Sequence, residues 1–485
     1  KIVIENVGGS AYKTLSKVLT QLKIENKFVW LNKEEDPFFH GIGKYDVAPN
    51  GEKAFYDYSV DATVIAKRKD GTKYFPVIET LHYDEKFKKM PVGTVVLITD
   101  PDHDRLTVTQ IENIENIDFL KKIGVDYIKI TDDTILTIYT ANQAFLMLMD
   151  FHAKQLKKQG LWNKHPRFMI KTTASAISWD KWAQNNDVKV INVPVGFKEI
   201  ANIMKKVEGK LKTNSDIILE DVFDNQINLG KEPRLIFGGE ESGGMIIGTE
   251  DLIKSQNGRT AIAMREKSAT EAIIVASSLV AYLGSNTLSK HLKKIFEEND
   301  IIAKYDVRED IAYYNESEPD IEKLKQAKTE GEKLRTQNDL FYLSLAIGVR
   351  ENKISLDDVK NVLNSAFKML DFNNLKSIKF VGDGTYLQFT DKYVEIRPSG
   401  TDAKTKAYGG GTDLDEISEL WQENEQSLQD IKNQIKKAKD DDDFDGIGGK
   451  VIRAIQKSCD FSFDYRRALT QFRQTIVSPE RKLTR

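Results

Sequence analysis

Three aspartates at alternate positions, Asp100, Asp102 and Asp104, directly follow the apolar and β-branched run 94–98. Such a run is typical of a buried strand in a parallel sheet, and the carboxyl end of that strand faces the ligand crevice in open α/β folds. Carboxylate oxygens suit a hard cation such as Mg²⁺. A solvated acidic turn is the alternative, but the preceding strand and the adjacent Arg105, which could meet a phosphate, favour a metal site.

A glycine-rich loop, Gly238–Gly244, follows another short predicted strand at 235–237. Its glycines let the backbone approach a ligand closely. Glu240 and Ser242 could accept hydrogen bonds from, and donate them to, neighbouring hydroxyls of a sugar. A polar glycine turn explains the loop equally well when it is taken alone.

A third candidate is Lys198, which follows the predicted strand 188–193 and the turn Pro194–Phe197. The turn places Lys198 near the N-terminus of the next helix, where anions bind. A lone lysine in that position is more often an ordinary surface residue.

A fourth candidate is a dense group of basic, hydroxyl and glycine residues after the predicted strands 378–381, 385–389 and 393–396. Side chains and backbone N–H groups of this kind can hold a phosphate, although a charged turn is the alternative. The candidate residues are Arg397, Ser399, Gly400, Thr401 and Lys404.

The amino-acid composition excludes several kinds of protein. The 485 residues predict about three domains, and 71 basic against 74 acidic residues give a net charge of −3, which indicates neither nucleic acid nor an anionic membrane as partner. The single cysteine, Cys459, excludes an internal disulfide framework and fits a reducing, cytoplasmic compartment. The sequence has no apolar run long enough to predict a membrane span.

Periodicity places the other elements. A strand is expected at 2–4, and Leu15, Val18, Leu19 and Leu22 form a helical stripe. Residues 63–65 and 74–78 could form a hairpin around Asp70-Gly71. Further helices are predicted at 140–151, 264–283 and 320–334.

The four candidate segments, in this order, resemble the α-D-phosphohexomutases, the superfamily of phosphoglucomutase and phosphomannomutase. Residues 100–105 match its Asp-Pro-Asp-x-Asp-Arg signature, and residues 239–243 resemble its Gly-Glu-x-Ser-Gly sugar loop, with Glu241 in the variable slot. The segment 397–404 matches its Arg-Pro-Ser-Gly-Thr-x-x-Lys loop, with Asp402-Ala403 where Glu-Pro is frequent.

The resemblance implies an α/β fold with two mixed α/β layered domains and a smaller α+β C-terminal domain, followed by a helical extension. The expected ranges are 1–135 for a domain II with the metal loop, 136–295 for a domain III with the sugar loop, 296–411 for a domain IV with the phosphate loop, and 412–485 for the extension. No family counterpart is apparent for this extension; Asp440–Gly446 resembles a calcium loop, but Ile452 stands where a bidentate Glu is needed.

The resemblance also implies roles. Asp100, Asp102 and Asp104 would hold Mg²⁺, Arg105 and Lys198 would be catalytic, and the loops would bind a hexose phosphate, with Glu240 and Ser242 on the sugar. The implied reaction interconverts hexose 1-phosphate and hexose 6-phosphate through a phosphoserine and a bisphosphate, with glucose 1,6-bisphosphate as activator. The Gly-Phe-Lys element at Lys198 favours glucose.

The family's phosphoserine lies in an N-terminal domain, and no Ser-His pair occurs in these residues. Because the chain begins inside a predicted strand, we expect that domain to be missing here and this chain alone to be inactive. Two alternatives are a phosphatase of the HAD type, whose Asp-x-Asp normally continues differently, and a non-catalytic sugar-phosphate-binding protein.

Overall fold

The structure, a computed structural model, describes residues 2–42, 44–47, 53–57, 66–67, 73–213, 215–314, 320–350, 352, 354–366, 371–398 and 404–412. The predicted strand 63–65, the candidate residues Ser399, Gly400 and Thr401, and the extension from residue 413 lie outside the described residues.

Helices and strands are interspersed along the described chain. The helices are α1 (Ala11–Gln21), α2 (Pro76–Thr80), α3 (Tyr83–Lys86), α4 (Ile117–Lys122), α5 (Ala141–Lys158), α6 (Ile177–Asn185), α7 (Phe197–Lys210), α8 (Ala269–Leu283), α9 (Leu288–Glu298), α10 (Ile321–Arg350) and α11 (Leu356–Ala366). The strands are β1 (Ile2–Glu5), β2 (Phe28–Leu31), β3 (Lys44–Val47), β4 (Lys53–Asp57), β5 (Ala66–Lys67), β6 (Lys73–Tyr74), β7 (Val95–Thr99), β8 (Leu106–Asn113), β9 (Asp126–Lys129), β10 (Thr134–Tyr139), β11 (Arg167–Thr172), β12 (Val188–Val193), β13 (Ile218–Glu220), β14 (Gln226–Asn228), β15 (Arg234–Gly239), β16 (Met245–Ile246), β17 (Ile253–Lys254), β18 (Thr260–Ala261), β19 (Tyr305–Ala312), β20 (Ser377–Val381), β21 (Gly384–Gln388), β22 (Tyr393–Pro398) and β23 (Lys404–Gly411).

The chain divides into two compact units. The first unit comprises Lys1–Asp221 and Asn225–Ile301, and the second comprises Val222–Asp224 and the described residues from Ile302 onward. Both are mixed α/β structures, as predicted from the sequence. The domain boundaries expected within these units stay predictions.

The first unit contains a six-stranded sheet in the order β2-β1-β7-β8-β10-β9. Strand β1 pairs in parallel with both β2 and β7, whereas β8 returns antiparallel to β7. All five residues of β7 are buried, which explains why its sequence is apolar without alternation. The acidic residues 100–104 follow the carboxyl end of this central strand.

A second sheet of the first unit has the order β12-β11-β15-β16. Its strands β12, β11 and β15 are parallel, so their carboxyl ends lie at one edge of the sheet. The turn before α7 and the glycine-rich loop both leave from this edge. It is the edge at which α/β sheets bind ligands.

One hydrophobic core includes residues from both sheets of the first unit. Helix α5 contributes Phe145, whose ring centroid lies 5.7 Å from that of Phe237 on β15 and 6.4 Å from that of Trp179 on α6. Leu97 of β7 belongs to the same buried cluster. Helix α5 begins with a capping box between Thr140 and Gln143, which satisfies backbone N–H groups at its start.

The second unit contains an antiparallel sheet in the order β19-β23-β22-β21-β20. Its core packs Leu345 of α10 and Leu363 of α11 against Leu387 and Val394 of the sheet. This is the sheet-containing C-terminal part expected from the sequence.

Three local predictions need correction. Residues 76–80 form helix α2 instead of a strand, because Pro76 occupies the first helical position, where its missing N–H costs nothing. Helix α8 begins at Ala269 instead of Met264, since the Ser268 side chain accepts from the Thr270 N–H and caps the helix. Leu22 follows α1 and is 51% exposed, whereas Leu15 and Leu19 are buried.

No single helix of the described residues has both the length and the apolar composition to cross a membrane. Helices α8 and α9 reach that length and apolar composition only when they are taken together, and their axes meet at an angle of 89°.

Candidate functional site

The acidic loop, Asp100–Arg105, joins β7 to β8 and curls back on itself. The Asp100 carboxylate causes this curl, because its Oδ1 accepts the backbone N–H groups of Asp104 and Arg105, each at 3.0 Å. His103 adopts a left-handed backbone with φ of 61°. As a result, carboxylate oxygens of Asp100, Asp102 and Asp104 lie within 4.8 Å of one another.

The geometry of the acidic loop fits a divalent cation. Asp104 Oδ1 is buried without a hydrogen-bond partner, so a cation ligand position is available on it. Burial raises the pKa of Asp100 to about 8; the N–H of Arg105 opposes this shift, and the negative charges of Asp104 and Asp102 add to it. A buried carboxylate with other negative charges beside it is expected where a cation binds. No other such group of three is found in the part of the chain that the structure describes.

The turn after β1, which contains Gly9 and Ser10, packs against Pro101 of the acidic loop. The Ser10 N–H donates to the Pro101 carbonyl at 2.9 Å. A side chain at Gly9 would bring its Cβ within 2.5 Å of the same carbonyl oxygen. Position 9 therefore requires glycine, because only a residue without a side chain lets the backbone of the turn come this close to the Pro101 carbonyl.

Arg105 lies beside the carboxylates. Its Nε is 3.7 Å from Asp100 Oδ2 and 3.6 Å from Asp104 Oδ1, and a third of its side chain remains exposed. An arginine held in this way can present the exposed part of its guanidinium to an anionic ligand.

The glycine-rich loop connects β15 to β16 next to the acidic loop. The Glu240 N–H donates to the Gly244 carbonyl at 3.0 Å, which closes a tight turn. The Leu106 N–H donates to the Gly243 carbonyl at 3.1 Å, so the end of the acidic loop is bonded to the glycine-rich loop. Glu240 is buried, with 4% exposure, while Ser242 is half-buried.

Lys267 joins the two loops, although none of the sequence motifs includes it. Its Nζ lies 2.9 Å from Glu240 Oε1 and 3.3 Å from Asp104 Oδ2, with 11% of the side chain exposed. A Cβ at Gly244 would come within 2.4 Å of Lys267 Cδ, so this glycine makes room for the lysine. Although burial lowers the pKa of Lys267, Glu240 more than offsets the effect, and the net shift is upward.

Lys198 is placed differently from Lys267. It lies in the first turn of α7, its side chain is 77% exposed, and its Nζ is 3.9 Å from Glu199 Oε1. Its neighbour Phe197 is the residue that packs inward, with its ring centroid 5.8 Å from Lys267 Nζ. The catalytic role expected of Lys198 stays a prediction.

In the second unit, Arg397 lies near the end of β22. Its Nε and Nη2 each donate to a carboxylate oxygen of Asp383 at 3.1 Å. Burial lowers the pKa of Arg397, but Asp383 reverses the effect and raises it above the ordinary value. Lys404 opens β23 and is half-buried.

A family of known proteins matches the part of the chain that carries the glycine-rich loop. Residues 146–298 match the family model of phosphoglucomutase/phosphomannomutase alpha/beta/alpha domain III. This segment, which contains β11, β12, β15 and the glycine-rich loop, is therefore similar to that domain. The match confirms the predicted resemblance to the α-D-phosphohexomutase superfamily.

Comparison with solved structures finds proteins that are similar to this chain at low sequence identity. They include the phosphoglucomutase pp63/parafusin from Paramecium (12% identity, TM-score 0.46, 88% of this chain and 57% of that one). A phosphoglucomutase/phosphomannomutase family protein from Burkholderia thailandensis has 12% identity and a TM-score of 0.45 over 88% of this chain and 60% of its own. The N-acetylphosphoglucosamine mutase from Aspergillus fumigatus, solved with GlcNAc-6P and magnesium, has 9% identity and a TM-score of 0.44 over 88% and 61%.

The chain therefore spans about three fifths of the length of these solved proteins. No curated protein sequence matches it.

Proposed function

We propose that the protein is a phosphohexomutase that interconverts a hexose 1-phosphate and a hexose 6-phosphate, with glucose as the favoured sugar. The observation that carries this proposal is the bridge that Lys267 makes between Asp104 of the acidic loop and Glu240 of the glycine-rich loop. Because Lys267 contacts both loops, the cation-binding loop and the sugar-binding loop lie side by side. Together they can hold the sugar and a phosphoryl group of a sugar phosphate.

Each residue has a part in this proposal. Glu240 and Ser242 bind sugar hydroxyls, because a buried carboxylate and a hydroxyl two residues apart provide an acceptor and a donor. Arg105 and Lys267 hold the phosphoryl group that reacts, and their fixed positive charges stabilise it as it transfers.

Asp100, Asp102 and Asp104 would hold Mg²⁺, which when bound neutralises negative charge on the transferring group. Arg397, with Ser399, Gly400, Thr401 and Lys404, is proposed to bind the phosphate that does not react. Asp383 keeps the guanidinium of Arg397 in one orientation, which lowers the entropic cost of binding.

We further propose that the phosphoryl group is carried by a phosphoserine and that glucose 1,6-bisphosphate is both intermediate and activator. No Ser-His pair occurs in residues 1–485, so this serine would be supplied from outside them. The single cysteine supports our expectation of a reducing, cytoplasmic setting.

The test follows the phosphorus signal of glucose 1-phosphate by ³¹P NMR, with the intact protein, Mg²⁺ and catalytic glucose 1,6-bisphosphate. A mutase yields the signal of glucose 6-phosphate. Release of inorganic phosphate as the sole product would instead identify a phosphatase. Line broadening of an unchanged substrate signal would identify a binding protein without turnover, and either result would refute the proposed function.

A further inference from the structure

His103 occupies the one position that the Asp-Pro-Asp-x-Asp-Arg signature leaves variable. Its side chain is nevertheless buried, with 9% exposure. Its Nε2 lies 2.8 Å from the hydroxyl of Thr270, and its carbonyl accepts the Ala269 N–H at 3.1 Å. The acidic loop is therefore bonded twice to the first turn of α8, once through a backbone and once through a side chain.

The first turn of α8 matters because Lys267 lies only two residues before the start of this helix. Ser268 caps the helix, and Lys267 extends from just before this cap to Asp104 and Glu240. Whatever fixes the acidic loop against α8 also fixes the distance between Lys267 and the aspartates.

The backbone of His103 needs such a restraint. A φ of 61° is left-handed, which a residue with a Cβ adopts at a cost in free energy. The curl of the loop depends on the N–H groups of the next two residues, Asp104 and Arg105, which donate to the Asp100 carboxylate. A side-chain bond from His103 to a rigid helix can hold this conformation.

We propose that His103 is a positioning residue, which through Thr270 locks the acidic loop onto α8 and so keeps the aspartates and Lys267 in one arrangement. Calling the aspartates a metal site rests on the proposed function. The lock itself is a property of the protein without metal, and it can be tested without metal.

The test measures amide hydrogen exchange of residues 104–106 in the full chain without metal. Thr270→Val keeps the shape of the side chain but removes the hydroxyl. Because one hydrogen bond contributes about a factor of 2–12 in an equilibrium constant, exchange at these amides should become faster by about that factor. Thr270→Ser, which restores a hydroxyl, should return the wild-type rates.

Thr137→Val is the matched control. The Thr137 hydroxyl is fully buried on β10 and donates to the Gln110 carbonyl at 2.9 Å. This variant also loses one buried hydrogen bond, but it should leave exchange at residues 104–106 unchanged. Unchanged exchange in Thr270→Val, or equal acceleration in both valine variants, would overturn the proposal.

Titration calorimetry with Mg²⁺ adds a second readout. Thr270→Val should weaken Mg²⁺ binding by about the same factor of 2–12, while Thr137→Val should not. A wild-type chain that bound no Mg²⁺ would refute the proposed metal site, and the exchange measurement would then decide the role of His103 by itself.

Discussion

Replacing Lys267 by methionine should destabilise the first unit, because it removes the cation that Glu240 and Asp104 share. Glu240 is 4% exposed and lies 2.9 Å from Lys267 Nζ, and Asp104 lies 3.3 Å from it. Breaking a buried pair by removing one partner costs about 3–5 kcal/mol. Since Asp104 keeps 26% exposure and can regain water, we expect the lower part of that range, a loss of about 3–4 kcal/mol in the free energy of unfolding.

The direction of the pKa shift of Lys267 decides the pH at which the loss of stability should be measured. The pKa of Lys267 is raised above its ordinary value of 10.5, with Glu240 outweighing the effect of burial. A lysine with a raised folded pKa contributes stability that is complete below the unfolded pKa and is lost as pH rises through the folded one. The full effect is therefore present at pH 7.

The assay is urea unfolding of the full chain, followed by tryptophan fluorescence, as a double-mutant cycle with Glu240→Gln. If the pair is the cause, the double variant should lose at least about 1 kcal/mol less than the sum of the single losses. Lys129→Met is the control, because its partner Asp132 is 97% exposed and an exposed pair of this kind adds little to stability. Additivity of the two single losses within about 0.5 kcal/mol would refute the reasoning.

The remaining predictions concern the metal, the phosphate and pH. Asp102→Ala should weaken Mg²⁺ or Mn²⁺ binding by at least about tenfold in calorimetry, as loss of one of three charged ligands requires, and equal affinity would contradict the assignment. Arg397→Ala should weaken glucose 1-phosphate and inorganic phosphate alike, whereas Glu240→Ala should weaken only the sugar phosphate; equal loss of inorganic phosphate in both would show that the roles are wrongly divided. Burial raises the pKa of Glu271 from 4.5 to about 7, although the hydrogen bond from the Ile247 N–H opposes this shift. Between these two pH values the folded state holds a proton on Glu271 that the unfolded state has lost, so stability falls as the pH rises through this window. Glu271→Gln should therefore match the wild type near pH 4 and exceed it at pH 8 by up to about 3 kcal/mol in urea unfolding; equal pH dependence of the two proteins would refute this.

The sequence could predict those parts of the site that follow directly from a strand. The acidic loop and the glycine-rich loop each begin where a buried apolar strand ends, so a local pattern locates them. The curl of the acidic loop also depends on neighbours within five residues, since Asp100 bonds to Asp104 and Arg105.

Lys267 could not be found in that way, because its partners are distant in the sequence. Glu240 and Asp104 come from other loops, and the predicted helix start at Met264 placed Lys267 inside a helix. The signal that was available is Ser268, which is a good helix cap and would have put Lys267 in the preceding turn.

The partner of Arg397 was within reach of sequence reasoning. Asp383 lies in the turn between β20 and β21, and the antiparallel pairing of β21 with β22 brings it next to Arg397. Three successive predicted strands with short connections imply such a register. Of the strand predicted at 74–78, Tyr74 does lie in β6, but the part from Pro76 onward is wrong, because Pro76 can open a helix as well as interrupt a strand.

The central claim is that a sugar phosphate binds beside the cation held by the acidic loop. Mn²⁺ in place of Mg²⁺ tests it directly, because a paramagnetic ion broadens the ³¹P signal of a phosphate close to it. We predict that the ³¹P signal of the reacting phosphate of glucose 1,6-bisphosphate is broadened by the Mn²⁺-loaded protein well beyond the effect of free Mn²⁺, and that Asp102→Ala and Glu240→Ala each remove the excess. Broadening of both phosphate signals no greater than that of free Mn²⁺, in a protein that binds both Mn²⁺ and glucose 1,6-bisphosphate, would contradict the account.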